Sequence, residues 1–588
     1  MKLQISLPWL GLCTLLFAAL EGWLIITKQD LQWQWLAIYG YLMISLSPIA
    51  TKPSSFFRGD LTSNDLSRDS FALLSASAFI TWIFAKSIYN SAVLGARFGI
   101  VGGVAYAGWY TSFACVAFTV YQLRKQGYHC LSEAVNHRYG HAATVTFGLT
   151  ILYRLYQEIW SNSIVVASFY GEFHSFNWWL AAILSTAIPL AYVGIGGMRS
   201  SLLSDFVQAG SAVAFMAVIL SVIFIQTNDL DCSAIPANSS RCSLWTWNPV
   251  PGRERWSLEG GLDLLAVSLM QGCTSYGFMD PVLTDRAFLI EPKRMVKAFI
   301  LGGSVAGAFI LLFSLFGVYG NMLAAVEAGQ EMFAPGVFMG VPADVAMTVS
   351  TAFFSVVNLV FITSSISTLD STFCSVAKLA GPELMGFMTS GRPRALSVAQ
   401  TKDIWTGRLM MVIIAVCGTL TLLTEQTALN ATTVSGTVVL GLGPPILGLA
   451  FFGVKGYRPL CFHMPFWSAA SIGVAYSIGS FYPEKVDLSL FSIGTGAYAK
   501  LLGWNVLGAV LAWGSFLLFF LENWHGEALP SDEDRRWHMD SIKGLGEDWD
   551  SSDEEGIDVE EKANYEDGDQ ELASASRGEI KSRLAPAV

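Results

Sequence analysis

Apolar residues in this chain run in blocks rather than in stripes. Fourteen stretches of about 20 apolar residues, the length a helix needs to cross a bilayer, are separated by short polar connections, from 7–26 and 32–50 to 462–482 and 501–521. A helix that is apolar all round has no face for water and satisfies its own backbone within lipid. The pattern therefore predicts an all-α polytopic membrane protein with about 13–14 transmembrane helices. Composition agrees: 53% of residues are hydrophobic and 14% charged, with a mean hydropathy of +0.47, which excludes an ordinary water-soluble domain. The stretch 7–26, with Lys2 before it and Ala18-Ala19 within it, fits either an anchor or a cleaved signal; the anchor is the preferred reading.

Charge adds orientation. With a cytosolic amino terminus, the inward-facing connections before residue 522 hold 19 Lys and Arg and the outward-facing ones seven, as the positive-inside rule requires. That orientation places the C-terminus in the cytosol; the expected location is the plasma membrane. Residues 522–588 carry a net charge of −13 and the rest of the chain +2; so acidic a tail is expected to be disordered. Within it, Asp550-Ser551-Ser552-Asp553-Glu554-Glu555 offers serines followed by acids, a pattern for an acidophilic kinase or another cytosolic partner. On the opposite side Cys232 and Cys242 flank the sequon Asn238-Ser239-Ser240, candidates for a disulfide and a glycan. There is no CxxC pair, HExxH motif or histidine cluster, so no metalloenzyme site, organic cofactor or covalent chemistry is expected, and nothing points to nucleic acid.

Polar residues inside apolar stretches carry the functional information. The third stretch, 71–94, contains Ile80-Thr81-Trp82-Ile83-Phe84-Ala85-Lys86-Ser87, and the eighth, 263–284, contains Gln271-Gly272-Cys273-Thr274-Ser275-Tyr276 and ends Asp280-Pro281. They lie five stretches apart, as the first members of two five-helix repeats do, and both read as interrupted helices exposing carbonyls at mid-depth. In the tenth stretch, Ser364, Ser367, Thr368 and Ser371 recur at i, i+3, i+4 and i+7 and share one helix face, with Asp370 beside them. Hydroxyls facing exposed carbonyls make a coordination shell for a hard monovalent cation.

Several of these runs resemble the sodium:solute symporter family. Gly196-Gly197 followed by Asp205 and Gln208 is similar to its signature, Ser367-Thr368-Leu369-Asp370-Ser371 to its serine-threonine-x-aspartate-serine motif, Ser55-Phe56-Phe57-Arg58-Gly59 to its lead-in, and 132–140 to the loop after its second core helix. The resemblance spans roughly residues 55 to 455. It implies a leucine-transporter-type fold with a 5+5 inverted-repeat core. It also implies a sodium site formed by the hydroxyls of Ser367 and Thr368 with the carbonyls of Ser364, Ile80 and Ile83. Asp205 matches an acid along sodium's cytosolic exit, and Asp370 belongs to the same ion path. The family typically has alanine where Ser364 stands.

Lys86 departs from the family beside the proposed break. Its ammonium could grip an anionic substrate, pair with Asp280 or Glu158, or replace the ion. Ser87, Gln271, Tyr276 and Asp280 complete the candidate substrate contacts, while Arg154 and Glu158, four residues apart, are expected to neutralise each other. The resulting plan places two hydrophobic segments and a loop in 1–70, the transport core in 71–455, two further helices in 456–521 and the tail in 522–588. The expected function is sodium-coupled symport of a small polar solute by alternating access. The alternatives are a transporter-fold sensor signalling through the tail, or a sodium-independent carrier or channel.

Overall fold

The structure, a computed structural model, describes residues 7–27, 30–61, 67–231, 243–249, 254–328, 341–391, 393–394, 396, 399–424, 428–452 and 459–524. Cys232, Asn238, Cys242 and the acidic segment beyond Trp524 lie outside them. Among the described residues every regular element is a helix, and each of the fourteen predicted stretches falls mainly on helix. Eight helices meet a strict length and hydropathy requirement for crossing a membrane, nine with one bent pair. The count differs from fourteen for physical reasons: Phe176–Asn228 joins two predicted stretches in one helix, Leu31–Leu46 and the interrupted eighth stretch are too short, and Leu131–Ala167 and Leu460–Phe481 are long enough but too polar.

Phe176–Asn228 runs 53 residues but turns at Gly197, whose φ of 57° lies in the left-handed region. A Cβ there would sit 2.2 Å from the Phe56 carbonyl oxygen. Glycine thus serves both backbone conformation and close approach, and it brings the glycine pair against the Pro53–Arg58 turn.

The helix Thr351–Lys378 is the axis of the molecule. Ser350 caps it by accepting from the Phe353 N–H at 3.1 Å, and 89% of its apolar window is buried, against 11% for the peripheral first helix. It packs on Phe176–Asn228 and Leu131–Ala167, while Pro292–Ala328 packs along the two halves of the third stretch. Those halves, Arg68–Thr81 and Ala85–Phe98, meet at 53°. The eighth stretch is also interrupted: Asp263–Thr274 ends at Ser275, a 3-10 turn covers Tyr276–Phe278, and helix resumes only at Pro281–Thr284. Asp280 caps that turn by accepting from the Val282 N–H at 3.1 Å, and Pro281 fills its first position.

Candidate functional site

The break at Trp82–Phe84 frees carbonyls that a continuous helix would satisfy, and three of them are met by hydroxyls from other helices. Thr368 donates to the Thr81 carbonyl at 3.4 Å, Tyr110 to that of Trp82 at 2.7 Å, and Ser364 to that of Ile83. Two of the three donors belong to the hydroxyl face of the 351–378 helix. Ser364 enters through its side chain, whereas the resemblance assigned its carbonyl. The Ile80 carbonyl accepts from the Ile83 N–H at 3.2 Å. Ser367, the remaining member of the set, donates to Asp205 Oδ1 at 2.7 Å. All of these side chains are essentially inaccessible to solvent.

Below the hydroxyl face lies a network that the sequence only half disclosed. Asp205 Oδ2 accepts from Ser77 at 2.6 Å and from the Arg286 guanidinium at 3.3 Å. Asp370 is held by hydroxyls: Tyr192 at 2.5 Å, Ser201 at 2.8 Å, and Ser204 and Ser371 at 2.9 Å each. The two predicted ion-path acids therefore belong to one cluster. Arg286 is fully buried in it, although a count of inward-facing charges assigns it to a cytosolic connection. The signal available in the sequence was its setting, one basic residue beside the apolar run Ala287-Phe288-Leu289-Ile290.

Lys86 belongs to a second buried cluster. Its ammonium lies 2.7 Å from Glu158 Oε1, one of the two pairings open to it from sequence. Arg154 contacts Glu158 and also reaches Asp280 Oδ2 at 2.9 Å, so it joins a larger network than the expected pair. Two cations and two carboxylates make a charge-balanced quartet that links both broken helices to Leu131–Ala167. Phe84 lies against both cations, 5.0 Å from the Lys86 ammonium and 5.3 Å from the Arg154 guanidinium.

The other candidate contacts are distributed around the second break. Tyr276 lies under Arg154 at 5.3 Å and beside Trp82 at 6.1 Å. Ser87 shares a 3.0 Å hydrogen bond with Tyr106. Gln271 accepts from Trp109 at 2.8 Å and donates to Asn505 at 2.7 Å. Trp82 Nε1, Ser275 Oγ and Arg154 Nε are buried without a hydrogen-bond partner, so the region between the breaks holds unused polar capacity. Among the described residues no group of three or more His, Cys, Asp or Glu side chains is placed to hold a metal ion.

No protein-family model matches the chain. The urea active transporter of Saccharomyces cerevisiae is 22% identical over 272 residues, 44% of this chain and 36% of that protein. The probable urea active transporter 2 of Schizosaccharomyces pombe is 20% identical over 238 residues, 39% of this chain and 35% of that protein. The chain thus spans about a third of the length of the curated relatives it matches. A Na+-coupled sialic acid symporter, solved in a substrate-bound outward-open state, is similar in structure with a TM-score of 0.58 at 13% identity, over 83% of this chain and 97% of that one. At that identity the likeness is one of fold: this is an integral membrane protein with an all-helical transporter fold.

Proposed function

We propose that the protein is a secondary active transporter that couples sodium entry to uptake of a small, neutral, polar solute by alternating access. The observation that carries this reading is the set of carbonyls at the first break facing hydroxyls of the 351–378 helix. A hydroxyl both donates and accepts, so the groups that now bond to each other can instead turn lone pairs toward a cation. Ser364, Ser367, Thr368 and the carbonyls of Ile80 and Ile83 would supply oxygens with little fixed charge, the donor type a hard cation takes. Charge supports the same conclusion. The cluster below holds two carboxylates, Asp205 and Asp370, and one guanidinium, so one monovalent cation beside it brings the buried sum to zero.

The solute class follows from the quartet. Lys86 is engaged by Glu158 and Arg154 by Asp280, which leaves no surplus charge for an ionic substrate. The unpartnered Trp82, Ser275 and Arg154 groups suit a solute that hydrogen-bonds. The similarity to two proteins named as urea transporters makes urea the first solute to test. One sodium ion crossing about 100 mV releases roughly 2.3 kcal/mol, and a tenfold gradient adds about 1.4. Together they suffice to concentrate a neutral solute a few hundredfold. Uptake requires a cell-surface location, with the acidic tail in the cytosol.

The test is uptake of radiolabelled urea and other small neutral solutes into proteoliposomes containing the purified full-length protein, under an inward sodium or choline gradient. Accumulation above equilibrium only in sodium supports the reading. Equal uptake in both salts defeats sodium coupling.

A further inference from the structure

Arg286 stands immediately after the second broken helix, and its guanidinium is surrounded by oxygens from four elements. Its Nε donates to Ser77 Oγ at 2.6 Å and its Nη1 to the Val282 carbonyl at 2.9 Å. Its Nη2 lies 2.6 Å from Ser371 Oγ, 3.1 Å from Ser201 Oγ and 3.3 Å from Asp205 Oδ2. Guanidinium, carboxylate and hydroxyls are all essentially inaccessible to solvent. Three hydroxyls and a carboxylate on the 68–81, 176–228 and 351–378 helices are the donor set a hard cation would take. That position already contains a cation, the Arg286 guanidinium, covalently tied to the chain.

The cluster is also continuous with the candidate sodium site. Ser367 donates to the Asp205 carboxylate that faces Arg286, so an ion at the upper hydroxyls and the guanidinium below draw on the same negative charge. Of the other buried cations among the described residues, Lys86 and Arg154 belong to the balanced quartet and Lys378 pairs with Asp285 and Glu383. Arg286 is the one among the ion-path oxygens.

We propose that Arg286 is a tethered resident cation that fills the oxygen cluster around Asp205 and thereby limits the protein to one mobile sodium ion per transport cycle. This inference rests on the sodium reading above. The mobile ion is held by the upper carbonyls and hydroxyls. The lower carboxylate is unavailable to a second ion for as long as the guanidinium stays in place.

The experiment counts ions. Radiolabelled sodium bound per folded protein is measured at saturation on the purified full-length parent, on R286Q, on R286K and on the double variant R286Q/D205N, and charge moved per solute is measured wherever transport survives. The expected results are one ion for the parent and for R286K, two for R286Q, and one again for the double variant. An R286Q protein that binds one ion overturns the proposal, as does a double variant that still binds two. A purely structural arginine would reduce the yield of folded R286Q without changing ions bound per folded molecule, and that result also counts against the proposal. A parent that binds no sodium instead overturns the coupling proposed above. If R286Q does not fold, R286M is used for the same count, and one ion bound by it rejects the idea.

Discussion

Ser367 donates to Asp205 across 2.7 Å, from the 351–378 helix to the 176–228 helix. This single bond joins the hydroxyl face to the ion-path acid, so removing hydroxyls from that face tests the whole arrangement. A lost ligand of this kind costs about 1 to 2 kcal/mol, which corresponds to roughly a five- to thirtyfold change in affinity. Ser367→Ala and Thr368→Ala are each expected to raise the sodium concentration for half-maximal uptake by that factor while leaving the amount of folded protein close to the parent's. Parent-like sodium curves for both variants reject the site.

Lys86 and Glu158 form a buried ion pair with both side chains fully shielded from solvent. Truncating one partner of such a pair strands the other charge and costs about 3 to 5 kcal/mol. Lys86→Gln should therefore lower the apparent melting temperature in detergent, and adding Glu158→Gln should recover part of the loss. The cycle is read from fluorescence-detected size-exclusion melts of the four proteins; additive losses mean that the pair is not coupled.

Gly197 admits no side chain without displacing Phe56. Gly197→Ala places a Cβ both in a left-handed backbone conformation and against a carbonyl, and overpacking of this kind costs about 1 to 3 kcal/mol. The expected result is reduced surface expression together with reduced uptake per folded molecule, because the turn also orients Asp205. Gly210, whose Cβ would meet nothing within 4 Å, is the control, and an alanine there should be silent.

Solute charge offers a further check. The quartet around Lys86 and Arg154 sums to zero, so uptake should fall steeply from urea to a carboxylate-bearing solute of similar size at neutral pH. Competition assays against radiolabelled urea measure the difference, and an anion that competes as well as unlabelled urea would falsify the assignment.

The sequence disclosed elements better than partners. Apolar block length located the helices because lipid demands uninterrupted apolar runs, and the i, i+3, i+4, i+7 spacing placed Ser364, Ser367, Thr368 and Ser371 on one buried face. The break at Trp82–Phe84 was legible from polar residues flanking an apolar core, though no glycine or proline marks it. Tyr110, which satisfies the Trp82 carbonyl, was not legible, since its role arises from a contact 28 positions away in the chain. Arg286 was concealed by a rule that treats bases near span ends as solvent-facing. Gln271 is a candidate substrate contact within the interrupted eighth stretch, and nothing local in the sequence revealed that it would donate to Asn505.

That amide pair links positions 234 residues apart, with Asn505 on the last described helix and also bonded to Thr437. During synthesis, Gln271 enters the bilayer long before Asn505 leaves the ribosome. Until then its amide must borrow water, lipid headgroups or a chaperone. The contact between these two segments therefore cannot form on the insertion machinery before the helix carrying Asn505 arrives, and premature stop codons ahead of residue 499 should yield chains marked for degradation rather than shortened carriers.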